Sequence, residues 1–224
     1  MDSQGTLWNE LVAKLGRKWQ AIKGRLARSV GYPSIDDSPE DVMSHEQAEA
    51  ESTLWYRSAI KELLELKSEN PVSNGRPENQ ANLTELFFDH GKGHIRLFTY
   101  DLDPEIYGQP HVVYALRRAE KRCVWVDIIT QIPPSPSAFT EQLKALGIPI
   151  LVVPPENITD PVNFLVIDDD AVRFQSDHRL PAATAWPSNK DMARKLAASF
   201  DIIKASQEKL NAKMASKTEL ASAS

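Results

Sequence analysis

Three consecutive carboxylates, at Asp168, Asp169 and Asp170, are the side chains most suggestive of chemistry. They follow the apolar run 164–167, which is typical of a strand covered on both faces, and the run 171–174 after them is again extended in pattern. Acidic residues between two such runs favour a hairpin turn. In an enzyme of this layout the reacting groups would lie on the strand and in the turn, so the residues found there decide between catalysis and binding.

The other polar residues do not indicate a metal or cofactor site. Asp101, Asp103 and Glu105 follow a strand pattern, but no histidine or cysteine joins them, and acid-rich turns after strands are common. No glycine-rich phosphate loop follows any predicted strand, so nucleotide binding has no support either. We therefore expect no metal and no cofactor.

The single cysteine, Cys123, lies in the apolar run CVWVDII and has no partner for a disulfide. We expect it to be a small buried hydrophobe, since no histidine-based arrangement points to it as a nucleophile. The lack of disulfides favours a reducing compartment, and no apolar run approaches the roughly 18 residues of a membrane span. The sequence thus predicts a cytoplasmic protein.

Alternating strand and helix patterns occupy residues 81–206. The strand patterns are 95–100, 123–130, 150–153, 164–167 and 171–174. The helix patterns are 83–89, 110–121, 136–146 and 189–206. Such alternation predicts an α/β fold with a mainly parallel sheet and helices on both faces. After residue 206 the apolar periodicity is lost and the end is rich in Ser and Ala, so we expect 207–224 to be a disordered tail.

The first 80 residues are predicted to be a helical extension of uneven charge. Residues 1–30 contain six basic and two acidic side chains, whereas 34–70 contain ten acidic and three basic ones. The segment 31–39 is a linker by composition, and an acidic helix follows from about 39 or 44 to 68. The polar loop 70–80 is interpreted as the boundary of the domain over 81–206.

Residues 6–30 form a predicted basic amphipathic helix with one apolar stripe at spacings of four and three. The stripe consists of Trp8, Val12, Leu15, Trp19, Ile22 and Leu26. Such a helix can lie on an anionic membrane, follow nucleic-acid phosphates or pack on protein. Exposed apolar surface costs about 25 cal/mol per Å². We expect Trp8, Leu15, Trp19, Ile22 and Leu26 to dock on a protein partner or a second copy, with Trp19 as the leading anchor.

Several phrases, in order along the chain, resemble the phospholipase D-like fold. IRLFTYDLDPEIYGQPHVVYALRRA resembles that fold's opening strand, loop and first crossover helix. RCVWVDIIT, LGIPILVVPP and the strand ending VID follow in the expected places. The resemblance covers residues 81–206 and implies a phospholipase D-like sheet with residues 1–80 as an N-terminal extension. A flavodoxin-like sheet is the alternative, and it would lack the hairpin at Asp168.

The chemistry of that family resides in an H-x-K-x4-D motif, followed by a G-S/G-x-N element. Aligning Asp168 with the motif's aspartate places Asn163 at the lysine position and Pro161 at the histidine position. The later element falls on 175–178, where only Ser176 matches. Proline has no side chain able to attack phosphorus or transfer a proton. The resemblance therefore implies a degenerate motif, and we expect no enzymatic activity.

Three classes of function remain open. The first is a non-catalytic accessory or scaffold subunit of a bacterial multiprotein assembly that docks through the N-terminal helix. The second is a nucleic-acid-binding accessory protein, although the net charge of −5 argues against a generally basic binder. Its phosphate contacts would be basic residues of the first helix and of the LRRAEKR segment, namely Arg17, Lys18, Arg25, Arg117, Arg118, Lys121 and Arg122. The third is an enzyme of another class.

Removal of residues 1–30 should leave the domain folded and abolish its assembly, because the apolar stripe is expected to bind another chain. Light scattering and thermal melting of the full and truncated proteins measure both effects, and Trp19→Ala should weaken assembly in the full chain. If the truncated monomer unfolds or melts at a substantially lower temperature, the stripe belongs to the protein's own core.

Overall fold

The computed structural model describes residues 45–154, 162–177, 179 and 182–222. The expectations for residues 1–44, Pro161 and 178 lie outside these ranges. The described helices are α1 (His45–Glu65), α2 (Pro77–His90), α3 (Pro110–Lys121), α4 (Ala138–Ala145) and α5 (Lys190–Ser222). The described strands are β1 (Val72–Ser73), β2 (His94–Thr99), β3 (Trp125–Thr130), β4 (Ile150–Val152), β5 (Asn163–Ile167), β6 (Ala171–Gln175) and β7 (Thr184–Trp186).

The strands form one mixed sheet in the order β1-β7-β6-β5-β2-β3-β4. β2 pairs with β3, and β3 with β4, in parallel. The pairs β2–β5, β5–β6, β6–β7 and β1–β7 are antiparallel. The α/β class is confirmed, but antiparallel pairs outnumber the parallel ones that the sequence led us to expect. The short β5–β6 connection explains part of this difference, since parallel neighbours need a crossover of a dozen or more residues.

The predicted hairpin after the buried strand is confirmed, with Phe164 opposite Phe174 and Ile167 opposite Ala171. Asp168 and Asp169 form its turn with φ values of 52° and 53°, in the left-handed region that primed hairpin turns require. The run 150–153 is only partly covered, because β4 is the last strand of the sheet. The short strands β1 and β7 were not predicted, since two or three residues carry no periodic signal.

The boundaries of the predicted segments also differ from those of the structure. Contacts divide the chain into the units Met1–Trp55 and Tyr56–Ser224, so the second unit begins well before residue 80. Tyr56, Ile60 and Leu64 of α1 are buried in the core of that unit. At the other end, α5 continues through residues 207–222, the segment predicted to be disordered. None of the described helices is long and apolar enough to cross a membrane.

Helices cover both faces of the sheet in the second unit. On one face α2, α3 and α4 pack Phe87, Leu116 and Phe139 into a core that includes Leu97 and Leu165. On the other, the ring of Phe164 stacks on Phe98 with centroids 5.0 Å apart and meets Phe200 of α5 edge to face at 6.4 Å. Successive strand residues point to opposite faces of the sheet, so the neighbours Leu97 and Phe98 pack on opposite faces.

Ion pairs attach α5 to the sheet. Lys204 Nζ lies 2.6 Å from one carboxylate oxygen of Asp127, and His94 Nε2 lies 3.0 Å from the other. Burial by itself raises the pKa of Asp127, but the hydrogen bonds from His94 and Lys204 and the charge of Lys204 outweigh it and lower that pKa to about 2. The buried carboxylate of Asp127 thus has both a cation and hydrogen-bond donors.

The expectation that Cys123 is buried is wrong, because the residue is exposed at the end of α3 with a φ of 60°. Its N–H donates to the carbonyl of Glu120 at 2.7 Å, and the next N–H, of Val124, donates to the carbonyl of Ala119 at 3.1 Å. A left-handed residue of this kind commonly ends a helix and is most often glycine. The apolar run CVWVDII misled the prediction because its first residue belongs to the helix end and not to β3.

Cys123→Gly should raise the free energy of unfolding by about 1 kcal/mol, because glycine adopts the left-handed conformation without the steric cost of a Cβ. Urea unfolding followed by circular dichroism measures the change. Cys123→Ala is the control, since it removes the thiol and keeps the Cβ. Equal stabilisation by both variants would show that the thiol, and not the backbone conformation, is responsible.

Candidate binding site

A pocket of about 350 Å³ opens at the edge of the sheet where β2 and β6 end and β5 begins. The antiparallel arrangement of β5 against both neighbours brings these three strand ends together. The N-terminal part of α2, the loop after β2 and Arg179 in the segment after β6 also line it. The lining residues are Pro77, Gln80, Thr99, Tyr100, Asp101, Asp103, Ile106, Tyr107, Asn163, Arg173, Gln175 and Arg179.

Arg173 lines this pocket and has 3% of its surface exposed. Its Nη2 donates to Oε1 of Gln175 at 3.1 Å and to Oε1 of Gln80. With the Asn74 amide oriented so that its nitrogen donates to the carbonyl of Ala183 at 2.9 Å, its oxygen accepts from Arg173 Nε at 3.1 Å. The guanidinium is therefore surrounded by neutral amide oxygens.

Among the described residues, no carboxylate forms an ion pair with Arg173. Arg96 on β2 shows the contrast, because it pairs with Asp169 and Asp201 at 3.0 Å each. Burial lowers the pKa of the Arg173 guanidinium, and only the phenols of Tyr107 and Tyr56 act in the opposite direction. Burial also raises the pKa of both tyrosines, so they stay neutral near pH 7 and supply no counter-charge.

Asn163 and Asp168, the two described motif positions on or beside β5, lie at opposite ends of that strand. Asn163 lines the pocket, where its Oδ1 accepts from the N–H of Tyr100 at 2.7 Å and its Nδ2 donates to Gln175 Oε1 at 3.2 Å. Five residues of strand separate the two positions by roughly 16 Å. The structure therefore does not bring Asp168 into the pocket.

Asp168 instead accepts three hydrogen bonds from the backbone that leads into β2. The donors are the N–H groups of Lys92 and Gly93, at 2.7 Å each, and of His94 at 2.8 Å. The backbone of residues 92–94 is thus tied to the hairpin by one carboxylate. Together, Asn163 and Asp168 fasten the two ends of β5 to β2. Ser176, the other matching position, directly follows β6 and is half-buried.

Three of the four basic residues predicted in the LRRAEKR segment already have partners. Arg118 contacts Asp89 through Nε at 2.8 Å and Nη2 at 2.7 Å, and also reaches Glu85. Arg122 donates to the carbonyl of Phe88 at 2.7 Å. Arg117 donates to Gln142, and Lys121 is exposed. The arginines of this segment therefore hold α3 against α2 and α4. The predicted residues Arg17, Lys18 and Arg25, and the docking stripe, lie outside the described residues.

The sequence interpretation missed Arg173, Gln175, Gln80 and Asn74. One signal was available, because an arginine inside the apolar pattern of AVRFQ has to be either exposed or buried among polar partners. Its register places it opposite Leu165 and Ala185, on the face covered by α2, α3 and α4. The face of the sheet on which Arg173 lies depends on how β6 pairs with its neighbours, and the local sequence pattern does not define that pairing.

The described part of the pocket is lined by amides, carboxylates, hydroxyl groups and two arginines. Among these lining residues there is no histidine, cysteine or lysine. Asp103 is committed to the loop, where its Oδ1 accepts from the N–H of Glu105 at 2.9 Å. No group of three or more His, Cys, Asp or Glu side chains arranged for a metal ion occurs in the described ranges. The distinguishing feature is a buried cation among amides.

Asn163→Lys, which introduces the residue type of the H-x-K-x4-D motif, should lower the free energy of unfolding by about 3 kcal/mol or more. It buries a second cation beside Arg173 and removes the acceptor of the Tyr100 N–H. Asn163→Asp keeps that acceptor and adds a negative charge beside Arg173. Its loss in free energy of unfolding should therefore be at least about 2 kcal/mol smaller than that of Asn163→Lys. Urea unfolding of both variants tests this order. Equal losses would contradict the view that uncompensated positive charge dominates the site.

Comparisons with known proteins give likenesses of fold. No protein-family model matches the chain, and no curated protein matches it. The chain is similar to the crystal structure of a phospholipase D family member, Nuc from Salmonella typhimurium, at 16% identity and a TM-score of 0.42, covering 59% of this chain and 90% of that one. It is also similar to TrmBL2, an archaeal chromatin protein described with a novel mode of DNA binding, at 14% identity and a TM-score of 0.42, covering 70% of this chain and 63% of that one.

Proposed function

We propose that the protein is a non-catalytic phospholipase D-like protein that acts by binding, as an accessory or scaffold subunit of a larger assembly. One observation carries this proposal. Asn163 and Asp168, the residues at the lysine and aspartate positions of the motif, both use their side chains to hold β5 against β2. Side chains committed to backbone N–H groups at both ends of a strand have a structural role.

The chemistry of the substituted positions supports the same conclusion. Attack on phosphorus needs a nucleophile, and the developing negative charge needs a cation or preorganised donors. The Asn163 amide is neutral, and its oxygen and nitrogen already have partners in Tyr100 and Gln175. Pro161, at the histidine position, has no group that can attack or transfer a proton. A second copy of the chain would bring the same two substitutions.

The scaffold role assigns assembly to the N-terminal stripe with its two tryptophans, Trp8 and Trp19, and ligand recognition to the pocket. A nucleic-acid-binding role has less support from the described residues. Arg118 and Arg122 are held by Asp89 and by the carbonyl of Phe88, so moving them to phosphates would break existing contacts. A salt titration of DNA or RNA binding separates the two roles, because phosphate contacts lose affinity steeply as salt rises.

The purified protein should not hydrolyse phosphodiesters. Bis(p-nitrophenyl) phosphate, single- and double-stranded DNA, RNA and phosphatidylcholine vesicles are the substrates, assayed with and without a metal chelator. Release of product should stay at the rate of the buffer alone, because nucleophile and phosphate-binding lysine are both replaced. Cleavage that is resistant to the chelator and disappears in His178→Ala would overturn the proposal.

A further inference from the structure

Within the described residues, one nitrogen of the Arg173 guanidinium has no hydrogen-bond partner. Its Nε and Nη2 reach the amide oxygens of Asn74, Gln80 and Gln175, but Nη1 makes no hydrogen bond within the described part of the chain. The side chain is almost completely buried and lines the pocket. A buried charge without a counter-ion is costly, and neutral acceptors only partly offset its lost hydration. An incoming anion would remove that cost.

We infer that the pocket binds the phosphate or carboxylate group of a small ligand, with Arg173 as its anion-binding residue. The inference rests on the proposed function, in that the bound ligand is recognised and not cleaved. A guanidinium offers planar donors that match either oxyanion, and it keeps its charge even when burial lowers its pKa. The hydrogen bonds to Gln80 and Gln175 fix its orientation in advance, which reduces the entropy lost on binding.

The size of the pocket favours a small ligand. Its volume of about 350 Å³ is near the lower end for small-molecule sites, and buried apolar and polar groups share its wall. Tyr107 is 4% exposed and Thr99 is 2% exposed, so their side chains present neutral surface next to the cation. An oxyanion at Arg173 would therefore be largely removed from water, where its attraction to the guanidinium is stronger.

The charges around the pocket argue against a polyanion. Asp101 and Asp103 line the same wall, and the exposed guanidinium of Arg179 is already paired with Asp177 at 2.9 Å. A nucleic-acid strand carries a charge on every nucleotide and would bring further phosphates towards these carboxylates. A ligand with a single anionic group avoids that repulsion, and its remaining hydroxyl or amino groups would have carboxylate acceptors nearby.

Titrations with sodium phosphate and sodium acetate, at constant ionic strength in sodium chloride, test the site directly. With ¹⁵N-arginine labelling, the buried Nε–H of Arg173 should show a saturable chemical-shift change with at least one anion. The thermal midpoint of unfolding should rise over the same concentration range, because a ligand that binds only the folded state stabilises it. A single-stranded oligonucleotide serves as the polyanionic comparison.

Arg173→Met should abolish the anion-dependent rise in the thermal midpoint. Arg194→Met, which removes an exposed arginine of α5 outside the pocket, should retain it. If Arg173→Met does not fold, the chemical-shift titration of the unmodified protein decides whether the pocket binds an anion.

The inference is wrong if neither anion shifts the Arg173 signal, if Arg173→Met keeps the full response, or if only the oligonucleotide gives an Arg173-dependent response. Hydrolysis of a phosphodiester would overturn the proposed function alone, and absence of anion binding would overturn only this inference.

Discussion

The antiparallel pairing of β2 with β5 is the contact on which the rest of the second unit depends. It joins a parallel half, made of β2, β3 and β4, to an antiparallel half made of β5, β6, β7 and β1. The stacked rings of Phe98 and Phe164 cover one side of this pair, and Leu97 opposite Leu165 covers the other. Without this junction β2 and β5 would each be an edge strand, and neither α5 nor the opposite helices would have a continuous surface to cover.

Side chains from β5 and its turn lock this pairing at both ends. The carboxylate of Asp168 accepts hydrogen bonds from the three successive N–H groups of residues 92–94, where β2 begins. The amide oxygen of Asn163 accepts one from the N–H of Tyr100, the residue that follows β2. A slip of one residue would break these bonds and turn every β5 side chain to the other face. The side chains of Asp168 and Asn163 therefore define the register of β5 against β2.

The same pairing creates the pocket and its unusual electrostatics. It aligns Leu97, Leu165, Arg173 and Ala185 across four neighbouring strands, so a guanidinium occupies one place in an otherwise apolar row. The buried carboxylate of Asp127, by contrast, has an opposite charge beside it in Lys204. Among the described residues, the hydrogen-bond partners of the Arg173 guanidinium are all amides. A buried polar cluster of this kind lowers stability relative to an apolar core, so folding by itself does not account for it.

Local pattern in the sequence determined the α/β class, the positions of the longer strands and helices, and the hairpin at Asp168. These features depend on neighbours within a few residues, where hydrophobic period and turn chemistry suffice. Only the tertiary structure decided the mixed pairing, the short strands β1 and β7, the exposure of Cys123 and the burial of Arg173. Each of these depends on which distant segment covers a residue. The sequence AVRFQ is compatible both with an arginine that faces solvent and with one that faces a closed layer of helices.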